Sequence, residues 1–156
     1  MISIDIPGWG NLGIENIVID LNGTIAMDGK IPPQVKEKIL ILSQRVNIHI
    51  LTADTQGTAT EEVRDIPVAL IKISEEKSKE AKFESLKNLN PESTVVIGNG
   101  NNDQLILKEA ALGIIVLGDE GMSISAMKNA DVVVKDVSNA LDLFLKPKRL
   151  IATLRE

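Results

Sequence analysis

Short, nearly unbroken apolar runs punctuate the chain, and between them apolar residues recur at helical spacing. The run Ile17-Val18-Ile19 ends abruptly on Asp20. Asn47–Leu51, Pro67–Ile73, Thr94–Ile97, Gly113–Leu117 and Asp131–Val134 repeat the pattern. Runs of this kind predict strands covered on both faces. Pro32-Pro33 opens a helix reaching about Arg45, with Val35, Ile39 and Leu42 on one face. Residues Gln56–Arg64 predict another. Ser74 is placed to cap a charged amphipathic helix carrying Phe83, Leu86 and Leu89. Further helices are expected from Asp103 to about Ala111, near Met122–Lys128, and as two pieces over Val137–Leu154, broken at Pro147.

The N-terminal part follows a different rhythm. Met1–Ile6 alternates apolar and polar, which suits a short strand. Gly8-Trp9-Gly10-Asn11-Leu12-Gly13 fits G-x-G-x-x-G, but a dinucleotide loop needs a helix after it. Here a strand, Glu15–Asp20, follows, so the segment reads as a hairpin-like turn. Asp28-Gly29, inside Ile25–Ile31, predicts a small β-flap directly after the Asp20 strand.

Alternating strands and helices imply an α/β protein: a three-layer α/β/α, doubly wound, mostly parallel sheet. Residues 1–156 are expected to form a single domain. In such sheets ligands bind beyond the carboxyl ends of the strands. The polar punctuation falls at those ends: Asp20, Thr52 and the loop Asn99–Asp103.

Composition narrows the field. Hydrophobic residues make up 44% of the chain and aromatics 2%, so the core must be Ile, Val, Leu and Ala. Few aromatics and a net charge of -5 argue against a nucleic-acid partner. The absence of cysteine removes disulfides and thiolate metal sites. No apolar run approaches the roughly 18–20 residues that span a bilayer, and the N-terminus lacks the basic start of a signal peptide. The expectation is a cytoplasmic protein with no membrane partner.

A carboxylate on a strand tip is held rigidly enough to act as nucleophile or metal ligand. Asp20 is placed to attack phosphorus. Asp103 offers a second carboxylate for a hard cation such as Mg²⁺, which takes few carboxylates plus water and phosphate oxygens. Thr52 offers a hydroxyl to a phosphate oxygen. Lys77, Lys79 and Lys82 are candidates for the cation that offsets charge on a transferring group. His49, the one histidine, lies in mid-strand and reads as a packing residue.

These residues at these spacings resemble the haloacid-dehalogenase (HAD) superfamily, and within it the phosphorylation domain of P-type ATPases. Val18-Ile19-Asp20-Leu21-Asn22-Gly23-Thr24 resembles the first motif, D-x-D-G-T, or D-K-T-G-T in the pumps. Leu51-Thr52-Ala53-Asp54 resembles T-G-D. Lys79-Glu80-Ala81-Lys82-Phe83 with Leu86 resembles the segment around the motif lysine, and this selects Lys79. Val96–Asp103 resembles G-D-G-x-N-D. The similarity runs from Glu15 onward.

The resemblance implies Asp20 as nucleophile and Mg²⁺ ligand, with the Asn22 backbone carbonyl on the cation. It implies Thr52 and Lys79 on the phosphoryl group, and Asn99 and Asp103 in the metal site. Two departures stand out. Asn22 replaces the acid that serves the superfamily's phosphatases as general acid/base, a loss costing about 10²–10⁴-fold in rate. Asn99 replaces a metal-binding Asp with an uncharged amide. Only 27 residues separate Thr24 from Thr52, so no cap domain or nucleotide-binding insertion is expected. An open site would admit a small phosphorylated substrate or a phosphorylated macromolecule, or be covered by another subunit in a homo-oligomer. Two readings follow: a slow Mg²⁺-dependent phosphohydrolase or phosphotransferase working through Asp20, or a pseudoenzyme that binds a phosphorylated ligand without turnover.

Overall fold

The computed structural model describes residues 1–53 and 57–156. Six strands form one parallel sheet: β3 (Asn16–Asp20), β4 (Asn47–Thr52), β5 (Ala69–Lys72), β6 (Thr94–Gly98), β7 (Leu112–Val116) and β8 (Val132–Val134). Their spatial order is β5-β4-β3-β6-β7-β8, and every pairing is parallel. Strand order therefore reverses between β3 and β6. That switch point is where a doubly wound sheet opens a crevice at its carboxyl edge.

The continuous apolar runs divide by parity. Ile17, Ile19, Ile48, Ile50, Val95, Ile97 and Ile114 face one layer. It contains α1 (Pro33–Leu42) and α6 (Val137–Leu145), packed through Val35, Ile39, Leu42, Leu141 and Phe144. Val18, Leu51, Val96 and Ile115 face the other. There α3 (Ser78–Asn88), α4 (Gln104–Glu109) and α5 (Ile124–Met127) contribute Leu86, Ile106, Leu107 and Ala126. Burying a side chain of this size contributes about 1.5–3 kcal/mol, so both faces of each central strand hold the sheet in register. The expected three-layer α/β/α architecture is what forms. Two further helices, α2 (Thr58–Glu62) and α7 (Lys148–Leu154), complete the chain, and α6 and α7 meet at Pro147 as expected.

Polar anchors fix the helices. Asp136 caps α6 by accepting from Asn139 N–H at 2.9 Å, and Ser123 caps α5 by accepting from Ala126 N–H. The buried Asp142 on α6 binds Lys38 of α1 at 2.7 Å and Arg149 of α7 at 3.1 Å. Lys38 holds the Asp142 carboxyl below the usual carboxylate range.

Several expectations are corrected. The Gly8–Gly13 segment is more than a turn: β1 (Ile2–Ile6) pairs antiparallel with β2 (Gly10–Ile14), and the reversal occupies only Pro7–Trp9. Leu12 and Ile14 face the core, which makes the segment a strand. The flap is smaller than predicted. Asp28 and Gly29 take left-handed φ of 50° and 78°, as a two-residue hairpin turn requires, but the pairing across the turn is the isolated bridge Met27–Lys30, with Ala26 bridging Asn22 instead. The helix expected from Ser74 begins at Ser78, because the chain turns through Glu75–Lys77 first. Asp54 of the T-A-D segment and Gln56, the expected start of the second helix, lie outside the described residues. Among the described residues no helix is long and apolar enough to cross a membrane.

Candidate active site

The carboxyl ends of β3, β4 and β6 line a cleft of about 590 Å³. Asp20 is the last residue of β3 and Thr52 the last of β4, and they enter the same cleft because the two strands pair in parallel register. Leu21 N–H donates to Leu51 O at 3.0 Å, carrying the pairing one residue past the strand. Asn22, Lys79 and Asn99 also line the cleft. Asp103 does not, since it lies beneath the floor with 0% exposure.

One side chain ties the site together, and it is Lys82. Its Nζ donates to Asp20 Oδ1 at 2.7 Å, to Asp103 Oδ1 at 2.6 Å and to Asn102 Oδ1 at 3.2 Å. It is 2% exposed. The lysine bonded to Asp20 is thus Lys82, whereas the resemblance points to Lys79. Lys79 lies in the first turn of α3, exposed at the cleft mouth, while Lys82 is almost one turn deeper. Ser78, Lys82 and Leu86 follow at i, i+4 and i+8, so they share one helix face. Ser78 accepts from Asn102 Nδ2 at 3.2 Å, which pins the start of that face to the β6 loop. Leu86 is buried beneath it. Spacing along the helix does not separate the two lysines, because Lys79 at i−7 and Lys82 at i−4 both fall near the face of Leu86.

Asp103, expected in the metal site, lies away from the cleft surface. Its Oδ2 accepts from the N–H groups of Asn99 and Gly100, both at 3.0 Å, and its Oδ1 takes Lys82. Both oxygens are engaged and neither faces the cleft. Its work is to fold the Gly98–Asp103 loop and position the Lys82 ammonium. Gly98 permits this. A Cβ there would stand 2.6 Å from Asp103 Cγ.

Burial, with the Asp103 charge adding to it, pushes the Asp20 carboxyl up from 3.8 to about 6, against the pull of Lys82 and a hydrogen bond from Thr24. Burial disfavours the Lys82 ammonium, but Asp20 and Asp103 outweigh it and leave its pKa raised. At neutral pH the Asp20 carboxylate therefore stands against the Lys82 ammonium. Asn99 Oδ1 accepts from Thr24 Oγ1 at 3.1 Å. His49 lies half-buried in mid-strand with Nε2 3.2 Å from Asn16 Oδ1, and burial lowers its pKa. It takes no part in the cleft.

Among the described residues no group of three or more histidine, cysteine, aspartate or glutamate side chains converges to hold a metal. The donors facing the cleft, Asp20, Asn22 and Asn99, offer oxygen. That set suits a hard cation that keeps several waters, such as Mg²⁺. The carboxylate of Glu120, from the loop after β7, also reaches the cleft wall, and nothing in its sequence context marked it.

No protein-family model matches the chain. An uncharacterized protein of Methanocaldococcus jannaschii is 52% identical over 75 residues, which are 47% of this chain and 81% of that one. A soluble P-type ATPase-like phosphatase from the same organism is 27% identical over 143 residues. They cover 89% of this chain, which spans about half (52%) of the phosphatase. A probable copper-transporting ATPase of Arabidopsis thaliana is 30% identical over 141 residues, 85% of this chain and 14% of the pump. Among solved structures, 3-deoxy-D-manno-octulosonate 8-phosphate phosphatase from Moraxella catarrhalis, in complex with magnesium and phosphate ions and KDO, superposes with a TM-score of 0.73 at 18% identity, covering 91% of this chain and 94% of that one. The cobalt-bound Haemophilus influenzae phosphatase gives 0.72 at 14% identity, covering 92% and 94%. At these identities the structural likeness establishes a shared fold.

Proposed function

We propose that this chain, which belongs to one family with the uncharacterized Methanocaldococcus jannaschii protein and has the fold of the HAD-superfamily phosphatases, is a Mg²⁺-dependent phosphohydrolase that works slowly through Asp20. The observation that carries this reading is the Asp20–Lys82–Asp103 chain at the switch point of the sheet, with Thr52 in the same cleft. A carboxylate, a buried ammonium and a hydroxyl meeting at one opening support a nucleophile, a charge-offsetting cation and a phosphoryl-oxygen donor.

Asp20 is ionised above about pH 6 and holds one oxygen against Lys82. Its carboxylate attacks the phosphorus of a bound monoester, and the bond from phosphorus to the leaving oxygen breaks. Thr52 holds a phosphoryl oxygen, and the Lys82 ammonium offsets the charge that builds there. With Asn22 in place of an acid, the leaving oxygen takes its proton from water. Water then attacks the acyl phosphate at phosphorus, freeing inorganic phosphate and the Asp20 carboxylate. Mg²⁺ would be held by the Asp20 carboxylate, the Asn22 backbone carbonyl and the Asn99 amide oxygen, and supplies charge neutralisation to the phosphoryl oxygens. The open cleft suits a small phosphorylated substrate.

Asn22 and Asn99 favour a second reading, a scaffold that binds a phosphorylated ligand without turnover. Hydrolysis of p-nitrophenyl phosphate with Mg²⁺, compared with Asp20→Ala, tests the first. Turnover abolished by Asp20→Ala supports it. Absence of turnover together with failure to trap beryllium fluoride at Asp20 overturns it in favour of the second.

A further inference from the structure

The turn Gly118–Gly121 is fastened to the cleft by contacts for which the chemistry above has no use. Gly118 N–H donates to Lys135 O at 2.9 Å, Ser123 N–H donates to Asn99 O at 2.9 Å, and the Asn99 amide nitrogen faces Gly121 O at 3.5 Å. Gly118 and Gly121 take left-handed φ of 57° and 79°, which glycine adopts without the strain a side chain would add. The reversal lays the Glu120 carboxylate directly on Gly23, in the first-motif loop. A Cβ at Gly23 would overlap Glu120 Oε2 and stand 2.8 Å from Asn99 Nδ2. Glu120 and Asn99 thus flank one point above Gly23. Glu120 also lines the wall shared by the Asp20 cleft and a neighbouring cavity of about 370 Å³.

Charge decides what this placement is for. Of the donors assigned to the cation, Asp20 is a carboxylate, while Asn22 and Asn99 are amides. A divalent cation on Asp20 would therefore meet one carboxylate among these donors. Mg²⁺ sites ordinarily supply one or two carboxylates besides phosphate. We infer that Glu120 supplies, across Gly23, a second carboxylate to the cation held at Asp20, replacing the charge that position 99 lacks. The inference rests on the Mg²⁺-dependent reading of this cleft. Glu120 reaches the cation directly or through one of its waters, and Asn99 holds the loop that delivers it.

The test is Mg²⁺ titration by calorimetry on the whole chain, without substrate, for the native protein, Glu120→Gln and Asp119→Asn. Asp119 lines the neighbouring cavity but not the Asp20 cleft. Partners of this kind change metal affinity by about 10–100-fold, so Glu120→Gln should weaken Mg²⁺ at least about tenfold and Asp119→Asn hardly at all. Adding Asn99→Asp to Glu120→Gln should recover much of the loss. Equal affinity of native and Glu120→Gln overturns the inference and leaves the phosphohydrolase reading standing. Equal losses in Glu120→Gln and Asp119→Asn overturn it too, as a general field effect. A native chain that binds no Mg²⁺ overturns both.

Discussion

The Nζ of Lys82 stands 2.6 Å from Asp103 Oδ1, where neither group meets solvent. A buried carboxylate is tolerated only when its charge is answered, and here one ammonium answers two. Lys82→Met leaves Asp20 and Asp103 facing each other without a cation. Stability should fall by about 3–5 kcal/mol, and phosphatase turnover by about 10²-fold or more. Lys79→Met, at an exposed position, should stay within about 0.5 kcal/mol of native stability and keep its turnover. Urea unfolding and p-nitrophenyl phosphate hydrolysis on both variants check this. Inactivation by Lys79→Met with a neutral Lys82→Met would reverse the roles.

Asp20 titrates at about 6 in the fold against 3.8 as a free side chain. A carboxyl with a raised folded pKa contributes stability that is fully present below about pH 3.8 and is lost as pH rises through about 6. Its charged form is therefore a net strain on the fold at neutral pH, even with Lys82 beside it. Asn copies the neutral acid in shape. Asp20→Asn should be more stable than native by about 1–3 kcal/mol at pH 8, with the gain gone near pH 4. Denaturant curves at the two pH values measure it. A destabilised Asp20→Asn at pH 8 would contradict the raised pKa.

Gly98 leaves no room for a methyl group. Its Cβ would sit 2.6 Å from Asp103 Cγ and Oδ2 and 2.9 Å from Asp103 Cβ. Asp103 cannot step aside, because both its oxygens are held. Gly98→Ala should cost about 1–3 kcal/mol and displace Lys82, with loss of turnover. Gly13 in β2 has open space around its Cβ position, so Gly13→Ala is the matched control and should fold and turn over as native does. Thermal melts and turnover on the pair decide it. An active Gly98→Ala would mean that the Asp103 loop yields more easily than its hydrogen bonds imply.

Much of this was legible in the sequence because parallel strands buried on both faces leave unbroken apolar runs. Ile17–Ile19 and Thr94–Ile97 could hardly be read otherwise, and the strand tips carrying Asp20 and Thr52 followed. The hairpin was half seen, since the alternation in β1 was plain while the glycines of β2 looked like a turn. The resemblance of Lys79–Leu86 to the motif segment points to Lys79, whereas the side chain against Asp20 is Lys82. Both lie near the helix face of Leu86, seven and four residues before it, and only the packing, which buries Lys82 and leaves Lys79 exposed, tells them apart. The role of Asp103 was hidden because its partners are backbone N–H groups of its own loop, which leave no trace in residue type.

Asn22 lines the cleft at an exposed position, two residues beyond Asp20 in the loop after β3. An amide there can hold water but cannot give a proton to a leaving oxygen or take one from the water that attacks the acyl phosphate. General acid/base help of this kind contributes about 10²–10⁴-fold. Asn22→Asp changes no volume and, at an exposed position, should leave stability nearly untouched. It should raise turnover of p-nitrophenyl phosphate at least about tenfold and shorten the life of the phosphorylated chain. The gain should be larger for an alkyl phosphate, whose poor leaving group needs the proton more. Steady-state rates on both esters, with mass spectrometry of the phosphorylated chain after a quench, measure both effects. Unchanged rates would place the limit elsewhere in the cycle and count against position 22 as the reason for slow turnover.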